Sequence, residues 1–88
     1  MKIKTIHTSF PDDIHGIVFA ITQKQSNGFL IVIDDRNTAE KQSFSLRHEL
    51  SHIALNHFER TIPIETAEKQ ADSLAEQLTI DELMQLCK

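Results

Sequence analysis

The hydrophobic period changes once along this chain, and that change decides its class. In the first part the apolar residues come in short β-branched runs, Ile17 to Thr22 and Phe29 to Ile33, with Asn27-Gly28 between them. Beyond Thr38 they recur at helical spacing, as Phe44, Leu46, Leu50, Ile53, Ala54 and Phe58. The first pattern suits pleated backbone and the second suits one face of a helix. Strands followed by helices make an α+β fold.

Asn-Gly between two β-forming runs predicts a hairpin, because both residues tolerate the positive φ of a tight turn. Lys2 to His7 alternates polar and apolar residues and reads as a strand whose lysines suit an edge. Together these predict a small antiparallel sheet, an N-terminal strand plus a β-hairpin, with a turn at Pro11-Asp12-Asp13. Thr38 is the N-cap of a first helix running from about Ala39 to about Phe58. Pro63 falls in the break that follows. A second helix from about Thr66 to Leu78 buries Ala67, Ala71, Leu74, Ala75 and Leu78. Thr79 and Glu82 form a capping box that starts a short last helix ending near Leu86. The 88 residues are expected to form one minimal domain. In the two β runs both faces are apolar, and helices can cover only one of them. The other face needs a subunit, a protein partner, or the Lys2–His7 segment folded over it, so self-association through the hairpin face or a protein partner there is expected.

Composition removes several classes of function. The formal charge is −4 and the nine Lys and Arg are scattered, which argues against direct binding to nucleic acid. Cys87 is the single cysteine, so no internal disulfide forms, as expected in a reducing cytoplasm. No apolar stretch reaches membrane-spanning length and no signal-type h-region is present, so a soluble cytoplasmic protein is expected.

The chemistry is concentrated in the first helix, at His48-Glu49-Leu50-Ser51-His52. Residues four apart lie one turn above each other, so both imidazoles of this HExxH segment can converge on one metal ion, expected to be Zn2+. Glu49 is displaced by about 100° around the helix from His48, too far to ligate but well placed to accept a proton from an attacking water. Catalytic zinc usually takes a third protein ligand. Glu68 on the second helix is the favoured candidate. Asp72, one turn further on, can fix the tautomer of a ligating histidine from the second shell of the site. Glu65 is a weaker competitor, expected to precede the helix. His57, five residues past His52 on what is predicted to be the same helix, is expected to point away. His7 and His15 could reach over the metal, although surface positions are the default for both. Arg47 is expected to be a surface charge or to meet a helix end.

The stretch Phe44-Ser45-Leu46-Arg47-His48-Glu49-Leu50-Ser51-His52-Ile53-Ala54-Leu55-Asn56-His57 resembles the ImmA/IrrE family of zinc metallopeptidases. So do Glu68-Lys69-Gln70-Ala71-Asp72-Ser73-Leu74-Ala75 and the upstream Phe10-Pro11-Asp12-Asp13-Ile14-His15-Gly16. The resemblance implies a gluzincin-like site, with HExxH on one helix, a third Glu ligand on the next, and a small antiparallel sheet. It implies an endopeptidase acting on a protein partner, such as a helix-turn-helix repressor, in mobile-element or stress regulation. Ser51 replaces the family's Gly and Gln70 replaces a second Glu. Leu78-Thr79-Ile80 stands where Leu-Met-Pro is common. The chain contains no Tyr, so no tyrosine can stabilise an oxyanion. The other reading is a metal-stapled module that sequesters its partner without cutting it.

Overall fold

Three strands precede three helices in the computed structural model, which describes residues 2–10 and 20–87. They are β1 (Lys2–Thr8), β2 (Ala20–Gln25), β3 (Gly28–Asp34), α1 (Ala39–Ala54), α2 (Ile64–Gln77) and α3 (Ile80–Leu86). The expected turn at Pro11-Asp12-Asp13, residues 17–19 and His15 lie outside the described residues. The chain makes two compact units, residues 1–46 and 47–88, with the boundary inside α1.

In the first unit β3 is central and the strand order is β1-β3-β2. β2 and β3 form the expected antiparallel hairpin, and β1 occupies an edge as its lysines suggest. β1 runs parallel to β3, however, so the sheet is mixed rather than wholly antiparallel. Side-chain alternation identifies a strand and its faces, but its direction depends on the route of the connecting chain. The hairpin turn also sits one residue earlier than Asn-Gly suggests, at Ser26-Asn27, because Gln25 pairs directly with Gly28. β2 accordingly contains the polar Gln23-Lys24-Gln25, which an apolar-run criterion leaves out of an edge strand.

Gly28 is required for a reason other than turn geometry. A Cβ there would collide with the Lys2 carbonyl of β1, which pairs with it. Lys2 N also donates to Asn27 O at 3.0 Å, so the two chains meet at this point.

Ile31 and Ile33 alternate along β3 and are fully buried, and Phe10 is buried as well. The opposite face carries a row of paired residues, Ile6, Val32 and Ile21. Ile6 and Ile21 remain 37% and 38% exposed. β1 therefore does not fold over the hairpin; it joins the sheet edge-on and widens the apolar face. At the end of β3, the buried Asp34 carboxylate accepts from Arg36 at its backbone N (3.1 Å), Nε (2.9 Å) and Nη2 (2.8 Å). Those hydrogen bonds hold the Asp34 carboxyl at about 2. Thr38 caps α1 as expected, its Oγ1 accepting from Lys41 N at 3.2 Å.

In the second unit the buried apolar residues are Leu50, Ile53, Ala71, Ala75, Leu83 and Cys87. Ala71 and Ala75 lie one turn apart on α2, and such small side chains let helix backbones approach. Arg47 Nη1 reaches across to donate to Ala75 O at 2.6 Å. That carbonyl belongs to the last turn of α2, the negative end of the helix, so the expectation of a helix-end contact is met. The capping box at the start of α3 is present: Glu82 N donates to Thr79 Oγ1 and Thr79 N donates to Glu82 Oε1.

The first helix ends at Ala54, four residues short of the expected Phe58. Asn56 adopts φ 60°, the left-handed region. Asn56 N donates to Ile53 O and His57 N donates to His52 O, both at 3.0 Å. This pair of bonds is a Schellman motif, which closes a helix on a left-handed residue. α2 begins at Ile64, two residues before the expected Thr66, so Glu65 lies within its first turn. Among the described residues no helix is long and apolar enough to cross a membrane.

Candidate metal centre

His48 and His52 stand one turn apart on α1, and Glu68 faces them from α2. His48 Nε2 and His52 Nε2 are 3.0 Å apart. Glu68 Oε2 lies 3.0 Å from His48 Nε2, and Glu68 Oε1 lies 3.1 Å from His52 Nε2. Among the described residues this is the group of His, Cys, Asp and Glu positioned to hold a metal ion.

The donor set can be tested on its own chemistry. Asp72 Oδ1 is 2.7 Å from His48 Nδ1. An ionised carboxylate only accepts, so the single N–H of neutral His48 is on Nδ1, and its Nε2 lone pair faces the two oxygens of Glu68. One imidazole lone pair and a carboxylate thus converge on one point, which favours a cation there. For ligand bonds of about 2.0–2.1 Å in tetrahedral geometry, neighbouring ligand atoms stand about 3.3 Å apart, close to the separations seen here. The residues fit the group.

His52 is buried, and burial is the main cause that pushes its imidazole below the ordinary value. Coulombic repulsion from the His48 ring acts in the same direction and the Glu68 carboxylate opposes it. Burial therefore favours the neutral form of His52, the form that ligates. Ser51 is also fully buried beside it, and its hydroxyl donates to Arg47 O at 2.7 Å. A serine is accommodated at this buried position because its one polar group is returned to the helix.

Asp72 contacts His48 at Nδ1, while His48 Nε2 faces Glu68. Glu65 does not join the site; it pairs with Lys69 at 3.4 Å. Glu49 is half-buried on α1, next to His48 in sequence and so about 100° around the helix from it. His7 contacts Gln42 in the first unit, Nδ1 to Oε1 at 2.9 Å.

His57 is the correction. It does not point away: its Nδ1 lies 2.8 Å from His52 Nδ1, and its Nε2 lies 2.9 Å from Gln70 Oε1. The expectation assumed that the helix continued, whereas the turn at Asn56 folds His57 back. Asn is one of the few residues that visit the left-handed region readily, so Asn56 was the available signal. Gln70 Oε1 faces His57 and is outside the group that could hold a metal ion. Phe58, 39% exposed, sets its ring edge-on to His52 with centroids 6.4 Å apart.

Two histidines one turn apart, a carboxylate from the next helix and an Asp–His contact behind one of them define a metallopeptidase-like domain. The particular family is shown by a family-model match over residues 2–85: the chain belongs to the peptidase family described as the IrrE N-terminal-like domain. No curated protein and no solved structure matches it.

Proposed function

We propose that the chain is a zinc-dependent peptidase acting on a protein partner, with His48, His52 and Glu68 as metal ligands and Glu49 as general base. The observation that carries this reading is the convergence of the three ligating groups within 3.0–3.1 Å of one another. Two imidazoles and one carboxylate, with a fourth position left for solvent or substrate, are a ligand set typical of catalytic zinc. When bound, zinc supplies Lewis acidity, polarising a carbonyl and making water a better nucleophile. Asp72 and His57 orient the two ligating rings. Glu49 takes the proton released as a water oxygen bonds to the peptide carbonyl carbon. It then passes that proton to the amide nitrogen as the C–N bond breaks.

The partner we favour is a helix-turn-helix repressor, following the family resemblance, in a cytoplasmic setting that suits a buried, reduced Cys87. A second reading, capture of the partner without cleavage, is favoured by the exposed Ile6–Val32–Ile21 row and by the absence of tyrosine. Glu49→Gln separates the two. It keeps size and hydrogen bonding but cannot accept the proton, so zinc content should hold while partner cleavage falls about a hundredfold or more. Loss of zinc would make Glu49 a ligand or a structural group. Equal antagonism by wild type and variant, with no cleaved product by mass spectrometry, would leave the binding reading standing and end the catalytic one.

A further inference from the structure

Resting on the metal-site reading above, we infer that Gln70 and His57 form a hydrogen-bond relay that fixes His52 in its metal-binding tautomer, which makes them positioning residues for the centre. The relay runs from Gln70 Oε1 to His57 Nε2 (2.9 Å), then from His57 Nδ1 to His52 Nδ1 (2.8 Å). A neutral imidazole carries one N–H and one lone pair, so the polarity of the chain is decided at one end. Gln70 Oε1 can only accept. His57 therefore carries its proton on Nε2 and presents a lone pair at Nδ1. His52 must then donate from Nδ1, which leaves its Nε2 lone pair facing His48 Nε2 and Glu68. With Asp72 fixing His48 in the same sense, neither histidine offers a proton to the point where the three groups meet.

The reverse polarity is incompatible with the centre. If the Gln70 amide nitrogen faced His57, His57 would hold its proton on Nδ1 and donate it to His52. The single proton of neutral His52 would then sit on Nε2 and block coordination. Partners of this kind behind ligating histidines fix the ring and raise its basicity, and losing one typically weakens metal binding about 10–100-fold. The two rings are reached differently, a carboxylate behind His48 and a histidine–amide pair behind His52. Gln70 is an exposed position on α2, so its substitution tests the relay without disturbing the buried residues.

The test uses the full chain and zinc ion alone, with affinity measured by competition against a chelating dye. Gln70→Met, which fills the space without a comparable acceptor, should weaken zinc about tenfold. Gln70→Glu, an acceptor only, should bind at least as tightly as wild type, and Gln77→Met on the same helix should not differ from it. His57→Phe should show the same loss as Gln70→Met, with circular dichroism confirming the fold of each variant. Long-range proton–nitrogen spectra of zinc-loaded wild type should show His57 protonated at Nε2, and so should zinc-free protein at pH 8.5. Wild-type affinity in both Gln70→Met and His57→Phe would overturn the relay, as would a His57 protonated at Nδ1. A wild type that took up no zinc would instead overturn the metal centre, with the relay judged on the zinc-free spectrum.

Discussion

His57 Nδ1 stands 2.8 Å from His52 Nδ1 although a helix end lies between them. Had α1 continued, His57 would lie five residues further round, well off the face of His48 and His52. Asn56 at φ 60° instead reverses the chain within a single residue. The helix terminus thus bears on the candidate metal site, because the motif that closes α1 also delivers the group behind His52.

The close approach of β1 to Gly28 predicts an asymmetric response to substitution in the hairpin. Gly28→Ala places a methyl group on the Lys2 carbonyl, so the strands must part or shift at the Lys2–Gly28 pair. We expect a loss of about 1–3 kcal/mol, the usual range for forcing atoms into a packed site. Asn27 has no positive φ to defend, since Asn56 is the non-glycine with that conformation among the described residues. Asn27→Ala should therefore change stability by less than about 0.5 kcal/mol. Urea denaturation of both variants checks this, and equal losses would contradict it.

Much of the architecture was legible because it rests on short-range rules. The switch from β-branched runs to helical spacing gave the order of elements, and the capping signals at Thr38 and Thr79 marked helix starts. The spacing of His48 and His52, and of Glu68 and Asp72, put these side chains on helix surfaces that face each other. What escaped depended on tertiary context. The parallel direction of β1 is not encoded in its side-chain alternation, and the end of α1 depends on one residue adopting an uncommon φ. Gln70 was readable only as a replaced glutamate, because its role requires knowing that His57 lies beside it.

The shifted groups predict how the zinc-free protein responds to acid. Burial holds the folded His52 imidazole below its ordinary 6.5, so between the lowered value and 6.5 the unfolded chain binds a proton that the folded chain does not. Stability must fall as pH drops from about 6.5 through that window and then level off. Asp34 acts lower: Arg36 holds its carboxyl at about 2 against 3.8 when unfolded, so its contribution is present above 3.8 and is lost as pH falls towards 2. Urea midpoints measured with a chelator present should show both descents. His52→Gln should remove the upper one and Asp34→Asn the lower. A wild-type midpoint that stays level from pH 7 to 5 would contradict the assignment to His52.

Asn56 offers a test that links helix ending to metal binding. Left-handed backbone costs an ordinary L-residue about 1–2 kcal/mol, a penalty that glycine escapes and asparagine partly offsets. Asn56→Gly should retain wild-type stability within about 0.5 kcal/mol and bind zinc with unchanged affinity, because the turn that carries His57 survives. Asn56→Val should cost about 1–2 kcal/mol, since a β-branched side chain resists this φ. If strain is relieved by opening the turn, His57 leaves His52 and zinc should weaken in parallel, approaching the behaviour of His57→Phe. The double variant Asn56→Val/His57→Phe should then bind zinc no more weakly than His57→Phe alone, because both changes remove the same contact. Additive losses in the double variant would show that Asn56 affects the metal by a route other than His57.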